Sequence, residues 1–450
     1  MADRYWVGGS GNWNTTNTGN WAATSGGASG ASAPVSGDDV FFDGNSDAGS
    51  SFTVTLTTTA PTIRNLTISG LDQAMILAGT PAWTIQGSIS LPASNFTWSA
   101  SGAVTLSGSA SSRTILTNGV TINGGFTFNS SGSDWTLQSA LTLGSNDNII
   151  LTAGTLDLAG YAVSCQTFSI SGSTTRTLTM GAATVSVSNS GNAWNAGTTT
   201  NLTFDAGTSN IIMTRNANAK TFVGGGLTYN ILSQGGSGPM TIEGANTFAD
   251  IQNPYKTTGA TSIIFTAGTT QTLSAFTASG ESGRVLTIES TSAGSAATLS
   301  KSSGTVTVEY CSIKDSTATG GATWVATNST NVSGNTGWSF QSGVNVDVPL
   351  SSVAVAAYAP TIQTGANVAV PAKSVAVAAF APSVSGGVRV QVPLSAITVA
   401  VFAPGVGSGV TIEVPLKTLS VTVFAPTVTT VSLSALPRVT LTGRFILAAT

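Results

Sequence analysis

The chain is expected to be all-β: a right-handed parallel β-helix body, entered through a tryptophan-rich N-terminal cap and followed by a repetitive β-strand fibre region. Three observations predict this. Charged residues make up 7% of the 450, where globular domains carry about a quarter. The remainder is rich in Gly, Ser, Thr and Asn, with Val, Leu and Ile at short intervals. That mixture suits pleated strands and tight turns, and no amphipathic helix pattern is present. Finally, prolines recur at every eleventh residue from Pro349 through Pro360, Pro371, Pro382, Pro393, Pro404 and Pro415 to Pro426 and Pro437.

Residues 1–50 are dense in aromatic and loop residues, as in "RYWVGGSGNWNTTNTGNWAATSGG". Gly and Asn between Trp6, Trp13 and Trp21 permit the tight turns that fold large rings onto one surface. A stacked β-fold needs its first rung covered, because a bare edge templates association. An end cap is the expectation here.

Residues 51–340 hold short alternating runs such as "FTVTLTT", "GAVTLSG", "NIILTAGTLDLAG" and "NLTFDAGTSNIIMT", each closed by a turn cluster. Short strands at this spacing fit a sandwich, a barrel or a solenoid. Their number, without strict repetition, favours the β-helix body, with tandem β-sandwiches as the alternative.

Residues 341–450 repeat every 22 residues with two kinds of strand. In "VNVDVP", "VRVQVP" and "VTIEVP" one face is apolar and the other polar: Val344, Val346 and Val348 against Asn345 and Asp347. In "SVAVAAYAP" and its copies both faces are apolar or small, Val353 and Val355 on one, Ala354, Ala356 and Tyr358 on the other. Proline lacks an N–H, so it ends each strand at a fixed length and opposes register slips. A strand with two dry faces needs cover on both sides, which predicts a homo-oligomer, most simply a trimer about a shared axis. The expected interface comprises Val353, Val355, Tyr358, Val375, Val377, Phe380, Ile397, Val399, Phe402, Leu419, Val421 and Phe424.

The sequence offers little chemistry. With no histidine, the Ser-His-Asp triad, the Cys-His pair and histidine metal sites are excluded together. Cys165 and Cys311 are too few for a four-cysteine zinc site and are expected as buried thiols. No phosphate-binding glycine loop is present. The net charge of −3, with basic residues scattered singly, argues against nucleic acid as a partner.

The start "MADRYWVGG" lacks the apolar segment of a signal peptide, and no apolar run reaches a membrane-spanning length, so assembly in a cytoplasm without membrane insertion is expected. No cofactor is expected. Four carboxylates in "GDDVFFDGNSDAG", Asp38, Asp39, Asp43 and Asp47, form a weak calcium candidate, set against ordinary turn chemistry.

Glycoside cleavage needs two carboxyls at close range. Asp134, Asp147, Asp157, Asp205, Glu243, Asp250, Glu281, Glu289, Glu309 and Asp315 are isolated along the chain, so solvated turn residues are the expectation and enzyme activity is not. Trp98, Trp135, Trp194, Trp324 and Trp338 are expected in packing, with a carbohydrate platform as the alternative.

Three segments carry a resemblance. "YWVGGSGNWNTTNTGNWAATSGGASGASAPVSGDDVFFDGNS" resembles the N-terminal pattern of β-helical phage virion and bacterial surface proteins. "TVTVEYCSIKDSTATGGATWVATNSTNVSGNTGWSF" looks like the closing coil of the same group, and the "VPL…FAP" tail is similar to repeats of tailed-phage structural proteins. The resemblance implies a non-enzymatic virion protein that assembles in the host cytoplasm with other virion proteins. A tail fibre or appendage touching host surface glycans is the preferred placement. A head fibre or decoration protein, a tailspike-like polysaccharide depolymerase and a bacterial surface adhesin are the alternatives.

Overall fold

The computed structural model describes residues 1–57, 61–109, 111–255 and 261–341 with their side chains, and in 342–450 the backbone of ten strands. Among the described residues the chain is all-β without a helix, and its parallel strands stack into a β-solenoid of about 13 turns. It divides into two compact units, Met1–Phe340 and Gln341–Thr450.

In the first unit the alternating runs become rungs. Odd and even residues of a strand face opposite sides, so one row of each coil faces inward while Thr and Ser face outward. Parallel pairing stacks equivalent positions of successive coils. Val40, Leu66, Ile89, Ile115 and Leu137 are partners in turn and form one buried column. A longer column follows Trp83, Val104, Phe126, Ile149, Phe168, Trp194, Phe222, Ile242 and Phe265. The facing sheet supplies Leu141, Val163, Val185, Ile211, Leu232, Ile251 and Phe276. Outside, Thr62, Thr84, Thr105 and Thr127 form a half-buried hydroxyl row. Such in-register parallel pairing replaces the tandem sandwiches considered from the sequence.

Aromatic residues on adjacent rungs stack directly. Phe168 and Trp194 lie 5.1 Å apart at 23°, and Trp194 and Phe222 lie 6.1 Å apart at 12°. Where the coil turns a corner, glycine is often required by close approach. A Cβ on Gly102 would fall 1.9 Å from the carbonyl oxygen of Pro81 in the coil before it.

Residues 1–50, set apart as a cap in the sequence, belong to the same compact unit as the body. Asp3–Trp6 pairs in parallel with Asp39–Phe42, which continues the long sheet through Leu66–Ile68. Gly11–Trp13 likewise starts a second row with Phe52–Leu56. Trp21–Ala22 runs antiparallel to Asp3–Trp6, unlike the rungs that follow. Trp6, Trp13 and Trp21 are fully buried. Their rings meet edge to face, at 5.0 Å for Trp6 and Trp21 and 5.3 Å for Trp13 and Trp21, and Trp13 also reaches Trp83 at 5.8 Å.

In the second unit each repeat contributes one strand to each of two five-stranded parallel sheets. Val344–Asp347, Ala366–Ala369, Val388–Gln391, Val410–Glu413 and Ser432–Ser434 form one sheet, and Ser352–Tyr358, Ser374–Phe380, Ile397–Phe402, Leu419–Val423 and Val439–Thr442 the other. The two sequence-defined strand types therefore separate into two sheets.

Candidate functional site

The acidic segment 38–47 is the most concentrated set of ionisable groups in the sequence, and the structure disperses it. Asp39 is gripped by the Arg64 guanidinium through both oxygens, and it accepts a further bond from Asn65 Nδ2 at 2.8 Å. Asp38 is buried; it accepts from the backbone N–H of Ala2 at 2.8 Å and lies 3.7 Å from Arg4. Asp43 and Asp47 accept from the backbone N–H two residues on, at Asn45 and Gly49, which is turn chemistry. Among the described residues, no group of three or more acidic, cysteine or histidine side chains is placed to hold a metal ion. The four carboxylates flagged in the sequence thus tie loops and rungs together.

The isolated carboxylates of the body do similar work. Asp134 accepts from the N–H of Ser112 in the preceding coil, Asp315 from Gly294, and Asp250 from Thr277. Asp157 and Asp205 close turns onto Ala159 and Gly207. Glu309 accepts from the Thr327 hydroxyl, and Glu281 faces Arg284 at 3.9 Å.

The tryptophans considered as a glycan platform are core. Trp98, Trp135, Trp194 and Trp324 are buried, and Trp338 is half-buried with its N–H on Ser316 Oγ at 3.1 Å. Cys165 and Cys311 are buried thiols. Burial pushes the Cys165 thiol up to about 12, which leaves it protonated and inert at neutral pH.

The expected oligomer interface maps onto the second unit in strict register. Val353, Val375, Ile397 and Leu419 are successive partners, as are Val355, Val377, Val399 and Val421. Tyr358, Phe380 and Phe402 form a third row. Phe424 lies outside the described residues. The backbone therefore brings the described members of these positions, all of the second strand type, into continuous rows along one sheet.

The sequence reading missed three buried cations. Arg113, Arg176 and Lys220 each begin a strand of the long sheet and are almost fully buried. Arg176 donates to four backbone carbonyls, of Ile170, Thr174, Thr198 and Thr200, at 2.5 to 2.9 Å. Arg113 lies over the Trp135 ring, 4.8 Å from its centroid. Burial lowers the proton affinity of all three. A shared signal was present: "SSRTIL", "TTRTLT" and "NAKTFV" each place a cation after a small residue and directly before Thr and an apolar residue.

Fold and site together define a β-solenoid whose polar groups are engaged in holding its coils. No family model, no curated protein and no solved structure matches the chain. Among the described residues, no helix is long and apolar enough to cross a membrane.

Proposed function

We propose that the protein is a non-enzymatic structural component of a bacteriophage virion, a homo-oligomeric and most simply trimeric fibre or appendage on the tail. Its task in this reading is mechanical and adhesive. The tryptophan-rich first 50 residues cap the first coil, the body forms a stiff rod, and the repeat unit joins copies. The long lateral surface of the rod is available for host surface glycans.

The observation that carries the proposal is the registered stacking of the 22-residue repeats into two separate sheets. By sequence alternation, the sheet of Val344–Asp347 has one dry face, while the sheet of Ser352–Tyr358 has one face of Val, Ile and Leu. The opposite face of that second sheet is small and apolar in its first two strands and carries Thr398, Ser420, Thr422, Thr440 and Thr442 in the later ones. In this reading the first two strands of that sheet, dry on both faces, need cover on both, and a neighbouring copy supplies it on one. Uncovered, rows of Val, Ile and Leu on every rung would be a large apolar patch of the kind that marks an interaction surface. Identical rungs also suit identical neighbours, since copies of one chain present the same spacing.

The decisive experiment is labelling of virions with an antibody to residues 1–340, together with the copy number per particle. Label on the tail in multiples of three supports the proposal. Label on the head replaces it with a capsid fibre or decoration protein, and label on a bacterial envelope with an adhesin. Release of new reducing ends from host polysaccharide would replace it with a depolymerase.

A further inference from the structure

One wall of the first unit is interrupted. Its rungs pair in parallel from Asp3–Trp6 and Asp39–Phe42, coil after coil, down to Arg176–Thr179 and Leu202–Asp205. Pairing resumes with Thr228 and Tyr229 on Thr247 and Phe248, and then on Thr272 and Leu273. Among the described residues, no ladder joins Leu202–Asp205 to Thr228 and Tyr229. Coil length explains the break. The coil from Trp194 to Phe222 holds Leu202–Asp205 and Asn210–Met213 as separate strands, whereas the shorter coil from Phe222 to Ile242 merges both into Thr228–Gln234.

The backbone phase shows which groups line the break. Arg176 N donates to Asn201 O, and Met180 N to Asp205 O. Alternate residues of a parallel strand address opposite edges. Thr203 and Asp205 therefore serve the preceding rung, and the N–H and C=O of Phe204 face the break. On the other lip Thr247 N donates to Leu227 O, which turns Leu227 and Tyr229 to the following rung and leaves the N–H and C=O of Thr228 facing the break. Two strand edges thus address each other across it, and such an edge is a template for another main chain. Inside, the break is floored by aromatic rings: Phe204 and Tyr229 lie 5.1 Å apart, and Tyr229 and Phe248 5.5 Å.

We propose that this break is a docking slot for one extended segment of another polypeptide, which adds a strand between Leu202–Asp205 and Thr228. Main-chain hydrogen bonds to both lips hold it. A second copy of the solenoid would have to bring its own rungs into space that the following coils fill, so the guest is a single strand. Its inward side chains meet the floor of Phe204 and Tyr229 and are small, Ala or Gly. Its outward side chains lie beside Thr203, Asp205 and Thr228, all exposed. Asp205 forms no ion pair among the described residues, and Asp157 stands in the same column beyond Thr179. Arg176, on the strand between them, is buried. Outward-facing ionisable groups on these three strands are therefore carboxylates, which suits a guest carrying lysine.

The test adds a synthetic end-blocked peptide, Lys-Thr-Ala-Thr-Ala-Thr-Lys, to the intact chain and reads residue-resolved hydrogen exchange by mass spectrometry. Without peptide, the amides of Phe204 and Thr228 are expected to exchange about tenfold or more faster than that of Leu178, which pairs within the ladder. At about 1 mM peptide both slow about tenfold while Leu178 is unchanged. Methylating the peptide's backbone nitrogens, or replacing its alanines with leucine, abolishes the protection, and Asp205→Asn weakens binding about threefold. Slow exchange at Phe204 and Thr228 from the outset, no protection at that concentration, or equal protection by either altered peptide would overturn the slot. Binding unchanged in Asp205→Asn would overturn the basic guest. Protection that grows with protein concentration alone would give the break to a second copy and overturn the proposal as well.

Discussion

The two units build the same kind of ladder from opposite sequence strategies. In Met1–Phe340 no two coils are alike: one rung offers Trp194 where the next offers Phe222 and a later one Ile242. In Gln341–Thr450 the strands keep one apolar alternation, and Ser352–Tyr358 and Ser374–Phe380 differ at a single position, Tyr against Phe. An irregular stack fills its own interior, because each side chain is fitted to unlike neighbours above and below. A regular stack repeats one solution, including any surface that solution leaves bare. On the proposed reading, diversity belongs with a self-contained core, and repetition with assembly.

Separating the units would strain that comparison most. Residues 1–340 are expected to melt cooperatively as a monomer, since the first unit buries a continuous column from Trp83 to Phe265. Residues 341–450 are expected to run in solution at a multiple of their chain mass. Light scattering on each fragment measures both, and a folded monomer from the second fragment breaks the contrast.

A single core substitution gives the next largest effect. Trp194 is fully buried, stacked between Phe168 and Phe222, with its N–H on the Tyr229 hydroxyl at 3.2 Å. Trp194→Ala should cost about 3–5 kcal/mol in denaturant unfolding of residues 1–340. A loss below about 1 kcal/mol would show that the irregular stack is loosely packed.

Backbone apposition between coils comes third. Gly102→Ala drives a methyl into the carbonyl of Pro81, an immobile partner, and should cost about 1–3 kcal/mol. Gly119 adopts a positive φ of 86° but faces open space, so Gly119→Ala measures the conformational term by itself. Gly102 has no positive φ, so a loss below about 0.5 kcal/mol for Gly102→Ala would show that coil-to-coil crowding contributes nothing there.

The sequence makes the ladder legible but hides what closes it. Period-two alternation in "FTVTL" or "AVTL" needs only local reading, and the structure buries Phe52, Val54 and Leu56 on one side as that reading requires. Pairing one coil to the next depends on coil lengths that vary, so neither the columns nor the meeting of Trp13 with Trp83 can be counted out from spacing. Lys220 shows the limit most clearly. A lone lysine among Asn, Ala and Gly looks like a solvated loop residue, and only the carbonyls of the following coil reveal it as a clamp. The Asp-rich segment errs in the other direction. Four carboxylates close in sequence suggest a shared ligand, yet Asp39 bonds Arg64 and Asn65 of the next rung, Asp38 bonds the N–H of Ala2, and Asp43 and Asp47 bond the N–H groups of their own turns.

That reassignment gives the smallest predicted effect, and it sharpens what the first unit means by self-contained. Asp39 is mostly buried and Arg64 is about one-third exposed, with side-chain accessibilities of 12% and 37%. Solvent screening on the arginine side keeps such a pair to about 1 kcal/mol or less. Asp39→Asn should therefore lower stability by no more than that, with the loss shrinking in high salt. Calcium or a chelator should leave the melting temperature of residues 1–340 within about 1 °C, because a site that binds only the folded chain would raise it with ligand concentration. A calcium-dependent rise that Asp39→Asn removes would mean the segment gathers a cation after all. The irregular unit would then need an external ion to close its first coils.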